Sequence, residues 1–173
     1  MARLARETSR KPVMIWRLAT DTDIRWANEV STSLHPQHPE DDEVFENRYH
    51  FYPRGFAILE INGEPQGYAV AHPWNADSYP HLNTVINRLP KDSSILHVHD
   101  VGILPESRSI KALKKLMNFL EEVSIHENFE ALQAIALAKT TRLWRRFGFF
   151  NLLDDKVESE YGIGAKWMRK EHN

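Results

Sequence analysis

His97 and His99 stand two apart in SILHVHDVGIL, an apolar run with the residue types of a β-strand. Successive strand side chains point to opposite faces. The two imidazoles therefore share a face with Val101 and Ile103, and Val98, Asp100 and Gly102 take the other. Imidazole titrates near neutrality, so the pair suits a general base that takes a proton from a nucleophile. Histidines on a strand also serve simply as packed, hydrogen-bonded core residues, and that role stands beside the catalytic one. A metal centre is not expected, because no third ligand stands at a telling spacing. Asp100, buried on the opposite face, needs partners for its charge, either structurally or in proton movement. His35 and His38, in the proline-broken HPQHPEDDE, are expected to be solvated.

A second chemistry is written into HDVGILPESRSIKALKKLM. A strand leads through Pro-Glu into an amphipathic helix. That arrangement cradles a phosphate-bearing cofactor, because unpaired N–H groups and the helix dipole favour anions there. The turn ESRSIKAL contains no glycine, the residue that lets backbone approach phosphate closely. A Cβ pushes the phosphates outward, and Leu113 is expected to turn into the core. Arg108 and Lys111 offer charge in place of lost backbone contacts. Lys114 and Lys115 read as solvated helix face.

The elements that must position these residues follow from periodicity. Val13–Leu18 reads as a first strand, and Thr20 caps a helix to about Ser33 with Asp21 and Asp23 in its first turn. A second helix spans about Asp41–Phe51. Two apolar runs flank Asn62-Gly63, a strong hairpin turn. Residues 75–93 form a loop long enough to suggest a functional role. A strand at Ser94–Leu104, a helix from Ser107 to about Glu127 and a strand at Ala131–Ala138 come next. A short helix, Thr141–Phe147, is stopped by Gly148. Strands at Phe149–Leu153 and Ile163–Met168 close the order β-α-α-β-β-β-α-β-α-β-β, an α/β fold with a mixed sheet.

The 173 residues suit one domain over 13–173, with residues 1–12 as a flexible arm. In that arm Arg3, Arg6, Arg10 and Lys11 face only Glu7, and a solvated arm is preferred to a targeting segment. Net charge is −2, which makes no global case for nucleic acid or anionic membrane. No apolar run approaches the roughly 20 residues of a membrane span. The absence of cysteine excludes disulfides, thiolate metal ligands and a cysteine nucleophile. It fits a reducing, cytoplasmic compartment.

Three segments together resemble the GNAT family of N-acetyltransferases, across about Ile15–Arg169. WRLATDTDI is similar to that family's opening strand and helix start. HDVGILPESRS is similar to its fourth strand and the exit into its third helix. LWRRFGFF is similar to the aromatic segment after its fifth strand. The resemblance implies about seven mostly antiparallel strands, the fourth and fifth splayed apart, flanked by about four helices. It implies acetyl-CoA as cosubstrate, with pantetheine along Val101, Gly102 and Ile103. The pyrophosphate would sit at Arg108, Ser109, Ile110, Lys111 and Ala112, where the family turn has small residues at the positions of Lys111 and Leu113. Thr140 and Trp144 would meet the cofactor. Trp144 takes the place of a tyrosine that protonates the leaving thiolate in relatives, and an indole N–H does not give up a proton.

His-x-His at this register resembles arylalkylamine N-acetyltransferases, which implies that His97 and His99 relay the amine's proton. The acceptor side would be aromatic, at Tyr49, Tyr52, Trp74 and Tyr79, suited to a small organic amine. The implied activity is direct acetyl transfer to a primary amine. A noncatalytic binding or regulatory module with a degenerate phosphate turn, and a peptide or protein acetyltransferase, stand as alternatives. Family members are often dimers through their last strands, so a homodimer is a further expectation.

Overall fold

The computed structural model describes residues 12–154 and 156–172. The flexible arm expected at residues 1–12 lies, residue 12 apart, outside them. The chain runs β1 (Met14–Leu18), α1 (Asp21–Leu34), α2 (Asp42–Phe51), β2 (Phe56–Ile61), β3 (Glu64–Trp74) and β4 (Ile95–Ile103). It continues α3 (Ile110–His126), β5 (Ala131–Ala136), α4 (Thr141–Arg146), β6 (Phe150–Asn151), α5 (Val157–Tyr161) and β7 (Lys166–Glu171). The seven strands form one sheet in the order β1-β2-β3-β4-β5-β7-β6. Only β4 and β5 are parallel, joined by the α3 crossover.

Local chemistry explains most boundaries. Asp23 accepts hydrogen bonds from the N–H and hydroxyl of Thr20 and pairs with Arg17, which fixes the start of α1. Asn62 and Gly63 take φ of 54° and 89°, the left-handed pair that a tight hairpin requires. α1 buries Ile24, Ala27, Asn28 and Ser31 against one face of the sheet. α3 buries Ala112, Leu116, Met117, Leu120 and Ser124 against the other, over Ala69, Ala71, Leu96 and Val98.

Two boundaries and the helix count differ from expectation. The Pro105–Ser107 stretch is a 3-10 turn, and α3 starts at Ile110, capped by the Ser109 hydroxyl, which accepts from Ala112 N–H at 3.1 Å. Among the described residues there are five α-helices rather than about four. The extra one, α5, has only five residues and so no readable period. The last strand begins at Lys166, not Ile163, because Gly162 and Gly164 both sit at positive φ in a turn.

Candidate active site

β4 and β5 pair only from Ile95–Ala131 to Val98–Ala134. Beyond Val98, β4 continues to Ile103 bonded to β3 alone, while β5 diverges. Backbone groups directed at the missing neighbour are left without a ladder. The gap opens into a cleft of about 1320 Å³. Val101, Gly102 and Ile103 form one wall. Leu137, Thr140 and Trp144 form the opposite wall, and Arg108, Ser109, Ile110 and Leu113 form the helix end. At the other end stand the α1–α2 loop, with His35 and His38, and α5 with Glu160 and Tyr161.

The register of β4 shifts against β3: Val70 opposes Asp100, but Ala71 opposes Val98. One extra residue is inserted at His99, a β-bulge that reverses the alternation of faces. Asp100 is therefore not opposite the histidine pair but on the same face, and Val101 and Ile103 are on the other. Val98 and Val101 both pack with the α3-side core. Asp100 Oδ2 accepts from Ser31 Oγ and from Tyr68 Oη, each at 2.8 Å. Burial, then the Asp100 charge, pushes the Tyr68 phenol well above its ordinary pKa, so it remains the donor. Asp100 Oδ1 faces His35 Nε2 at 3.4 Å.

His97 and His99 lie behind this layer. With His72 they form a buried triplet, with centroids 5.7 Å from His72 to each and 6.3 Å between the pair. His99 Nε2 meets Glu40 Oε2 at 2.8 Å, and both side chains are 3% exposed. Burial, then repulsion from His99 and Arg48, holds His97 well below the usual histidine pKa. Neither ring lines the cleft. Among the described residues no group of three or more His, Cys, Asp or Glu is arranged to hold a metal.

The structure brings together Val101, Gly102, Ile103, Arg108, Ser109, Ile110, Thr140 and Trp144 around the cleft. Lys111 is exposed on the first turn of α3, outside the lining. Ala112 is fully buried: its N–H serves Ser109, and its carbonyl accepts from Trp16 Nε1 at 2.9 Å. Leu113 packs beside Leu59 and Ile103, as expected, and also lines the cleft. Arg108 folds back, its Nε donating to the Ile103 carbonyl at 2.9 Å.

The four aromatic acceptor candidates do not converge. Tyr49 packs edge-on to Phe56, Tyr52 to Phe129, Trp74 to His72 and Tyr79 to Trp167, all away from the cleft lining. His35 and His38, expected in solvent, are instead partly buried in its wall. The proline-broken spacing masked them, because it says nothing about what the loop folds over. Residues 75–93 run over α2 and β5, tied down by Arg48 to the Thr84 carbonyl, Asn83 N–H to Glu40, and Gln133 to the Ser78 carbonyl.

The chain matches the Acetyltransferase (GNAT) family over residues 18–149. No curated protein sequence matches it. Its fold is similar to the loading GNATL domain of CurA from Lyngbya majuscula, at 14% identity and TM-score 0.76, over 92% of this chain and 98% of that one. It is also similar to Naa50 from Arabidopsis thaliana, solved with the bisubstrate analogue CoA-Ac-MVNAL, at 12% identity and TM-score 0.69, over 92% and 99%. N-acetylglutamate synthase from Neisseria gonorrhoeae, complexed with coenzyme A and N-acetyl-glutamate, matches at 15% identity and TM-score 0.69, over 95% of this chain but 36% of that one. These identities speak for fold alone. With a family match across most of its length and a sheet parted between its fourth and fifth strands, the chain belongs to the GNAT acetyltransferase family.

Proposed function

We propose that this chain transfers an acetyl group from acetyl-CoA directly to the primary amine of a small molecule. One observation carries the reading: β4 loses its β5 partner after Val98, and the freed backbone of Val101–Ile103 lines a cleft reaching from the start of α3 to the α1–α2 loop. The volume of about 1320 Å³ exceeds the roughly 300–1,000 Å³ typical of a drug-sized pocket, which suits two reactants in line. Pantetheine amides would add to β4 as an extra strand. The phosphates would meet the N–H groups of Ile110 and Lys111 and the charges of Arg108 and Lys111, since Ser109 already occupies Ala112 N–H.

A small acceptor is favoured over a peptide by the far end of the cleft. There His38 Nε2 lies 3.0 Å from the Tyr161 carbonyl, linking the α1–α2 loop to α5. A noncatalytic role finds its support at the phosphate end, where Ile110 and Leu113 stand in the wall.

Melting curves with acetyl-CoA separate these readings. At a hundredfold excess over Kd, binding adds about 2.7 kcal/mol, or roughly 5–10 °C for a chain of this size. An amine panel scored by free thiol release then tests turnover. Absence of any melting shift at millimolar acetyl-CoA would rule out the transferase reading. Binding without thiol release from any amine would favour the noncatalytic one.

A further inference from the structure

We infer that His35, oriented by Asp100, is the general base that takes the proton from the attacking amine. The inference rests on the transferase reading above and adds the group that performs the proton transfer. The bulge at His99 turns Asp100 towards α1. Ser31 and Tyr68 saturate one of its carboxylate oxygens, each at 2.8 Å, which fixes the plane of the group. The other oxygen faces His35 Nε2 at 3.4 Å. That nitrogen is buried and makes no hydrogen bond among the described residues, so it is an unpartnered polar atom with the Asp100 carboxylate 3.4 Å away to receive its proton.

A carboxylate facing one ring nitrogen selects the tautomer with its proton there and leaves the lone pair on the other. The Nδ1 lone pair of His35 is then free to accept, on a side chain that lines the cleft. The carboxylate also stabilises the imidazolium once it forms. His97 and His99 lack this access: neither lines the cleft, and His99 is taken up by Glu40.

The step balances without further reactants. The amine nitrogen bonds to the thioester carbonyl carbon, and the C–S pair leaves on sulfur. The amine's proton passes to His35 Nδ1 and from there to the departing thiolate. Other charged or titratable groups around His35 are Tyr68 from β3, His38 from its own loop, and Glu160 and Tyr161 from α5. Arg108 and Lys139 stand further along the lining. Glu160 already accepts from Leu82 N–H and pairs with His81 at 3.0 Å, and Tyr161 Oη donates to the Pro80 carbonyl. None of these competes with Asp100 for His35 Nε2.

The test has one arm that needs no turnover. Long-range proton–nitrogen NMR of the wild-type protein should show His35 with its proton on Nε2, and Asp100→Asn should redistribute it. A neutral His35 protonated on Nδ1 overturns the dyad. In the kinetic arm, His35→Ala should lower kcat/KM for the amine roughly 100-fold or more. Acetyl-CoA Kd should stay within about twofold. Added imidazole should restore part of the rate, and the pH dependence of kcat/KM should change. Asp100→Asn should lower kcat more than it raises KM. A His35→Ala enzyme with wild-type rate and pH profile overturns the assignment and leaves the transferase reading intact. Wild-type protein that binds acetyl-CoA but acetylates nothing overturns that reading instead, and the tautomer spectrum still decides the dyad.

Discussion

At Gly102 a Cβ would stand 2.8 Å from the Tyr68 hydroxyl and nearer still to its ring carbons. Tyr68 lies flat over this bare backbone, and that position lets its hydroxyl reach Asp100. Gly102→Ala should therefore cost about 1–3 kcal/mol through overpacking and disturb the carboxylate behind His35. Urea denaturation measures the first effect, and the His35 NMR signal reports the second. The His99–Glu40 pair makes a sharper case. Removing one member leaves a buried carboxylate without its partner, so His99→Ala should destabilise by about 3–5 kcal/mol. Equal stability of variant and wild type would show that water reaches the pair.

Among the elements, α3 joins stability to ligand binding at its first turn. The Ser109 hydroxyl caps it, and Trp16 locks it to β1 through the Ala112 carbonyl. Ser109→Ala should cost about 1 kcal/mol of stability in chemical denaturation. Lys111→Ala should leave the fold untouched, because Lys111 is exposed. It should weaken coenzyme A more than phosphate-free pantetheine, by an amount that shrinks with salt. Equal weakening of both ligands would remove Lys111 from the phosphate site.

For the whole molecule, buried histidines set the response to acid. His72 and His97 are 0% and 1% exposed, and burial, then neighbouring charges, holds both well below the ordinary histidine pKa. The folded state keeps them neutral, whereas the unfolded chain protonates them below about pH 6.5. The unfolded state thus binds more protons, and stability falls as pH drops below about 6.5, by up to ~1.4 kcal/mol per pH unit for each histidine. Carboxylates act in a lower window. A hydrogen bond from Arg17 holds Asp23 at about 2 against burial. Burial pushes Glu40 up, but attraction to and a hydrogen bond with His99 leave it below the usual value. Their stabilisation is complete above about pH 4 and is lost as pH falls further. Urea midpoints from pH 8 to pH 3 should show both declines, and His72→Gln should shallow the first.

The order of elements along the chain, α5 apart, the Asn62-Gly63 hairpin, the α1 cap and the three family segments were legible in the sequence, because each rests on contacts within a few residues or on side-chain period. The splayed strands came from family resemblance, and the ladder ending at Val98 bears them out. The assignment of faces in β4 failed past His99. A bulge is created by how β3 and β4 register, and the β4 segment alone carries no trace of it. His35, dismissed as solvated, gained a place in the cleft wall only because the α1–α2 loop folds over the end of β4. Local sequence sets what each segment prefers to be. Which side chains meet from 65 positions apart, as those of His35 and Asp100 do, is decided by long-range packing of the sheet and its helices.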